Sequence, residues 1–202
     1  MPDTGAPYFI PFADPTDLVR DWPALSEDVA EAVADGLDAA GGLVAVKSAI
    51  FTGIQDAGVL AGDNLTVTDL EITHALADAS NKLIISAFLG AAANSEGNGN
   101  VGIAVHDGTG LIDIGENPGN RSGVSAGGWV QHFGTGGNMV VTMPSVTFVH
   151  TPNTTDSKTY TVRAINIRDE TRTLFINRME LDNNNEAFPR AVSSLVIQEV
   201  KV

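Results

Sequence analysis

The chain has no cysteine and few bases or aromatics. Its 202 residues include 11 lysines and arginines against 25 acids, with 2 Trp, 2 Tyr and 8 Phe. Each shortage excludes a class of protein. Without cysteine there is no disulfide scaffold, no thiolate zinc site and no cysteine nucleophile. A formal net charge of −14 has the wrong sign for sequence-independent nucleic-acid binding, which needs lysine and arginine to displace counterions from phosphates. No apolar run approaches the roughly 18 residues that cross a bilayer, so no membrane insertion is expected. The N-terminus carries Asp3 and no basic stretch, unlike a secretory signal. What is plentiful is glycine, 21 residues, and hydrophobic side chains, 43% of the chain. That suffices for the core of one or two domains at roughly 100–200 residues each.

The acids are unevenly spread. Residues 1–42 hold nine against the single base Arg20, or 1 − 9 = −8, while residues 43–202 hold 16 acids and 10 bases, or 10 − 16 = −6. The texture changes at the same point, from alanine-rich to β-branched and glycine-rich, which places a boundary at Gly41-Gly42.

Three segments follow from this. The first segment, residues 1–23, opens with a strip, 1–13, in which three prolines accompany Tyr8, Phe9, Ile10 and Phe12; it cannot form a helix, and its aromatics need a surface to bury against. Asp14 as N-cap and Pro15 at the first helical position then start a short helix through Leu18 and Trp22, stopped by Pro23. Residues 24–42 predict a second helix, capped by Ser26 and ended by the glycine pair. Its narrow apolar stripe is Leu25, Val29, Val33 and Leu37. A helix of about 15 residues with so thin a stripe is marginal alone and gains from packing on copies of itself.

From Leu43 to the end the pattern is short alternating runs between turn residues. Strands are expected over 43–51, 64–76, 82–89, 101–106, 111–114, 130–133, 139–149, 159–166, 173–177 and 194–201. The fold class is therefore mainly β, an antiparallel, jelly-roll-like β-sandwich over 43–202, preceded by an extended segment and a short trimerising helix. A slip in the alternation at Thr68-Asp69 predicts a bulge, with Leu65, Val67, Leu70 and Ile72 facing inward. Leu83–Leu89 is apolar on both faces, which asks for a second buried surface such as a subunit interface.

No motif carries chemistry. Gly97-Asn98-Gly99-Asn100-Val101-Gly102 fits the dinucleotide fingerprint, but a polar loop precedes it and a strand follows. Gly123-Val124-Ser125-Ala126-Gly127 fits the nucleophile elbow, yet no helix follows it. The four histidines (74, 106, 132 and 150) have no ligand spacing and read as structural. Asp182–Glu186 is a polar turn without the spacing of a calcium loop. Five arginines from Arg163 to Arg190 lie among acids and read as cross-strand or intersubunit pairs. No catalytic, metal-binding or cofactor-binding residue is assigned, and no cofactor is expected.

Several blocks resemble the head domains of bacteriophage fibres. They are Thr159–Arg163, Leu174–Arg178 and Phe188–Val200, with Ser80–Ser86, Ile114–Glu116, Arg121-Ser122 and Phe148–Pro152 upstream. Pro7–Pro11 followed by Leu25–Val33 is similar to the anchoring segments of phage tail fibres. The resemblance implies a homotrimeric sandwich head, a trimer helix at Leu25, Val29, Val33 and Leu37, and a tail that docks to other virion structural proteins. The docking residues would be Tyr8, Phe9, Ile10, Phe12, Leu18 and Trp22. It further implies a non-enzymatic role in attachment to host-surface glycans. The head follows the helix with no shaft between them, which leaves tail and capsid locations open. Alternatives are a capsid decoration or cement protein without receptor binding, or a polysaccharide depolymerase.

Overall fold

The computed structural model describes residues 42–95, 100–116, 123–128, 141–180 and 190–202. These form twelve strands: β1 (Leu43–Phe51), β2 (Gln55–Val59), β3 (Asn64–His74), β4 (Lys82–Phe88), β5 (Ala92–Asn94), β6 (Val101–His106), β7 (Leu111–Ile112), β8 (Ala126–Gly128), β9 (Ser145–His150), β10 (Lys158–Asn166), β11 (Arg172–Ile176) and β12 (Ser193–Val200). There is no helix among the described residues, and every paired strand is antiparallel.

Period-two patterning decides which face each strand buries. In β12, Leu195 and Ile197 are buried while Ser194, Val196 and Gln198 between them are half-exposed. In β4, Leu83, Ile85 and Ala87 are buried on the same side. The first main sheet has the order β1-β12-β4-β9, and the second runs β3-β10-β6-β7 with β8 on β6. Val67, Leu70 and Ile72 of β3, Ile103 and Val105 of β6, and Tyr160 and Val162 of β10 join the first sheet's inner side chains in one core. Two antiparallel sheets sharing a core make a β-sandwich arrangement.

A third sheet, β2-β11-β5, has a topological role. In chain order β2 links β1 to β3, β5 links β4 to β6, and β11 links β10 to β12. Each link passes from one main sheet to the other. All three leave from and return to the same end of the sandwich, so the small sheet gathers three crossovers into one hydrogen-bonded unit. Its strands are poor in β-branched residues (Gln55-Asp56-Ala57-Gly58-Val59 and Ala92-Ala93-Asn94), and the sequence pattern gives no strand there. Pairing with β11 makes them strands.

The β3 bulge is where the slip places it. Thr161 pairs with Glu71 and Arg163 with Thr66, so β3 carries extra residues opposite β10. Asp69 takes them up in a left-handed conformation, φ 58°. Val67, Leu70 and Ile72 are buried as expected, while Leu65 is half-buried against the core.

Three expected boundaries need correction. The strand expected over 139–149 is β9, starting at Ser145. Pro144 before it has no N–H to give a ladder. The strand expected over 111–114 stops at Ile112, because Asp113 turns to φ 50°. The strand expected from Asn64 to Leu76 ends at His74. The expected strand 130–133 lies outside the described residues.

Gly90, after β4, is a close-approach position. A Cβ there would collide with the Val192 carbonyl oxygen and meet Ala191 Cβ at 2.9 Å. Gly90→Ala is therefore expected to destabilise by about 1–3 kcal/mol, as overpacking against backbone does. A lower urea midpoint at unchanged m-value would show it.

Candidate functional site

The strand directions give the sandwich two unlike ends. At one, β1 begins, and other main strands start or finish there: Val200 of β12 pairs with Lys82 of β4, Leu83 of β4 with His150 of β9, His74 of β3 with Lys158 of β10, and Thr161 of β10 with His106 of β6. Lys201 N donates to Gly42 O at 3.0 Å, so the segment preceding Leu43 enters at this end. The links here are short: 75–81, 107–110 and 151–157. At the opposite end lie the three crossovers. Val101 of β6, Gly128 of β8 and Ser193 of β12, which flank glycine- and asparagine-rich stretches of the sequence, also lie at that end.

The entry end is a set of closed polar clusters. Glu199 is an inward-facing carboxylate, 1% exposed, in the alternation Leu195, Ile197, Glu199. It accepts from His74 Nε2 at 2.8 Å, the Ala77 N–H at 2.8 Å and Asn81 Nδ2 at 2.6 Å. Burial works against its charge, but the bonds from Asn81, Ala77 and His74 outweigh it and hold the carboxyl below its ordinary value. The cluster ties β12, β3 and the 75–81 turn together. Asp107 braces the next turn: its Oδ1 accepts from Thr109 N at 3.0 Å, Thr109 Oγ1 at 2.6 Å and Gly110 N at 3.1 Å, and its Oδ2 pairs with Lys158 Nζ. Burial opposes this ionised form too, but Lys158, Thr109 and Gly110 prevail and hold it well below the carboxylate range. Tyr160 beneath is pushed up to about 12 by burial and by the charge of Asp107.

His150 adds a third contact. Its Nδ1 lies 3.3 Å from Asp113 Oδ2, and its ring meets Tyr160 edge-on at 6.1 Å. Three of the four histidines thus share one end of the sandwich, a proximity that their sequence spacing hides. Their partners differ: Glu199 for His74, Asp113 for His150, and for His106 the Gly108 N–H, which donates to Nδ1 at 2.9 Å. Among the described residues no three His, Asp or Glu side chains converge to hold a metal. The structural reading of these histidines fits the contacts seen. His132 lies outside the described residues.

Ser125, the centre of the elbow-like motif, leads into strand β8 and not into a helix. Its hydroxyl points to Ile112 O at 3.5 Å. The arginines divide. Arg178 pairs across the small sheet with Asp56 and stacks 4.5 Å over Phe175, whereas Arg172 pairs with its near neighbour Glu170 at 2.8 Å. Arg163 reaches Thr66 across β10 and β3.

The crossover end is pinned by two asparagines at 0% exposure. Asn166 Nδ2 donates to the carbonyls of Val59, Leu60 and Glu170 at 2.8–3.2 Å. Asn177 Nδ2 donates to Phe51 O at 2.8 Å and Gly53 O at 2.9 Å, and its Oδ1 accepts from Ser193 Oγ at 2.6 Å. These residues were not singled out in the sequence, where asparagine after a strand signals only a turn.

The residues expected to dock, Tyr8, Phe9, Ile10, Phe12, Leu18 and Trp22, lie outside the described residues. So do the helical stripe Leu25, Val29, Val33 and Leu37 and the polar turn 182–186. Comparison with protein-family models and with curated proteins finds no match to this chain.

Proposed function

We propose that the chain is a short homotrimeric phage fibre protein, non-enzymatic, docked to the virion by residues 1–23 and joined by the stripe of 24–42, with the sandwich exposed for attachment to host-surface glycans. The observation that carries this reading is the polarity of the sandwich. The chain enters at the end braced by Glu199 and Asp107, while the strand ends that flank the glycine- and asparagine-rich stretches of the sequence lie at the opposite end, with the pinned crossovers. A head needs that layout: a rigid base toward the particle and adaptable polar loops away from it. The strand orders β1-β12-β4-β9 and β3-β10-β6-β7 support a jelly roll, an architecture that recurs in viral and carbohydrate-binding domains. The blocks that resemble fibre heads supply all or part of β4, β9 and β12 of the first sheet, β10 of the second and β11 of the small one.

Deleting residues 1–23 is expected to abolish incorporation into particles while the soluble protein keeps its oligomeric mass. Normal incorporation overturns the docking assignment. The absence of a shaft favours a second reading, a capsid decoration protein of the same trimeric build. A glycan array separates the two, since binding supports attachment and a blank array supports decoration. The charge of −8 on residues 1–42 calls for a basic or dipole-positive socket on the partner.

A further inference from the structure

The outer face of the β1-β12-β4-β9 sheet has a composition unlike the rest of the chain. Opposite the buried rows, strand register aligns Val46 with Gln198, Ile84 and Val149, and Ile50 with Ser194, Phe88 and Ser145. The row between them is Ser48, Val196, Ser86 and Thr147, with Ser86 and Thr147 hydroxyls 2.9 Å apart. Val46 is 52% exposed, Ile50 60% and Val149 57%. One charge borders these rows, Lys82 at the entry end. Among the described strands no acid faces this way. The acids of the described strands are Asp56 on β2, Asp69 and Glu71 on β3, and Glu199, which faces the core.

We infer that this face is the contact by which copies of the chain associate, its occupant being the same face or rim of a second copy. The argument is electrostatic. A protein of net charge −14 repels itself wherever two acid-bearing surfaces meet, and like charges brought together cost several kcal/mol. A surface whose described strands present apolar, hydroxyl and amide side chains and no carboxylate escapes that cost, so it is the surface on which homotypic packing is least opposed. Four strands about 4.8 Å apart and about eight residues at ~3.3 Å each give a flat footprint of roughly 500 Å². Half of its side chains are apolar (Val46, Ile84, Val149, Ile50, Phe88 and Val196), and its extent is that of the largest patches a monomer exposes, roughly 300–600 Å² and often functional. It is large enough for the centre of a stable interface of about 800 Å² per partner, whose polar rim the flanking turns would supply.

This inference rests on the oligomeric reading above but can fail separately. In the full-length chain, Val46→Glu with Val149→Glu places two carboxylates on the exposed margins of the face, where neither strand loses a core contact. Sedimentation velocity is expected to show an oligomer for the native chain and a monomer for the double variant, with association at least 100-fold weaker. Leu60→Glu with Met143→Glu charges two apolar side chains, each 64% exposed, that lie outside these strands. That pair is expected to leave the mass unchanged. A double variant that keeps the native mass overturns the face and leaves the trimer intact. A monomeric native chain overturns both.

Because the chain has no cysteine, Ser48→Cys supplies a second reading that needs no disruptive charge. A short bis-maleimide should cross-link copies through position 48 and not through Leu60→Cys. Failure to cross-link at position 48 in an oligomeric sample overturns the inference, as does protection of that thiol in a monomer, which would mean that the chain covers its own face.

Discussion

Replacing Glu199 by alanine is expected to lower stability by about 3–5 kcal/mol, the range for breaking a buried charged cluster by removing one partner. His74, Asn81 and the Ala77 N–H would all lose their acceptor inside the protein, where an unmade hydrogen bond costs more than a made one yields. Chemical denaturation would measure it. Glu199→Gln keeps the shape and an acceptor oxygen for Asn81 and Ala77, and is expected to cost less, about 1–2 kcal/mol. The two variants also differ from the native chain in acid. The folded state holds this carboxyl below its ordinary value, so at moderately low pH the unfolded chain binds the proton first. The contribution is therefore complete above the unfolded carboxyl range and is lost as pH falls through the folded value. Stability against pH should fall more gently in Glu199→Gln than in the native protein. Parallel curves would mean that Glu199 contributes nothing to acid unfolding.

Asn177→Ala is expected to cost about 3–4 kcal/mol, the sum of two distinct losses. The side chain donates to Phe51 O and Gly53 O and accepts from Ser193 Oγ at 0% exposure. Three buried groups left without a partner cost roughly 1 kcal/mol or more each. The backbone sits at φ 61°, which asparagine tolerates and alanine pays about 1 kcal/mol to hold. Asn177→Gly separates the terms, since glycine takes the left-handed conformation freely but makes no side-chain bond. Its stability should lie between the native chain and Asn177→Ala, nearer the latter. A glycine variant as stable as the native chain would show that backbone conformation, and not the hydrogen bonds, is what this position contributes. The effect should be global, because Asn177 binds the end of β1, the approach to β12 and, through its backbone N–H, the Ala91 carbonyl at 2.7 Å.

These two side chains show how unequally the structure could be read in advance. Glu199 was legible: the period-two pattern of β12 puts it on the face of Leu195 and Ile197, and a carboxylate on a buried face must have partners. Which partners was not legible, because His74 and Asn81 lie more than a hundred residues away in sequence. Asn177 was not legible at all. Its acceptors, Phe51 and Gly53, come from the far side of a crossover, and nothing local distinguishes it from a turn asparagine. Two strands of the small sheet, β2 and β5, were missed for a related reason, although β11 between them was expected. Strands such as Ala92–Asn94 have no alternation to find and exist because β11 offers them a ladder.

Where local chemistry is decisive, sequence alone determined the outcome. The β class of 43–202, the bounds of β1 and β6, the bulge at Thr68-Asp69 and the doubly apolar character of β4 all follow from alternation, β-branching and breaker residues. Each depends on contacts between a strand and a buried face, whatever lies behind that face. The tertiary structure decided the order of strands in the sheets, the gathering of crossovers at one end, the histidine and carboxylate clusters at the other, and the row of uncharged side chains across four strands. Those features join residues tens to more than a hundred positions apart. Only sheet register brings such residues into line, and register is a property of the packed whole and not of any one strand.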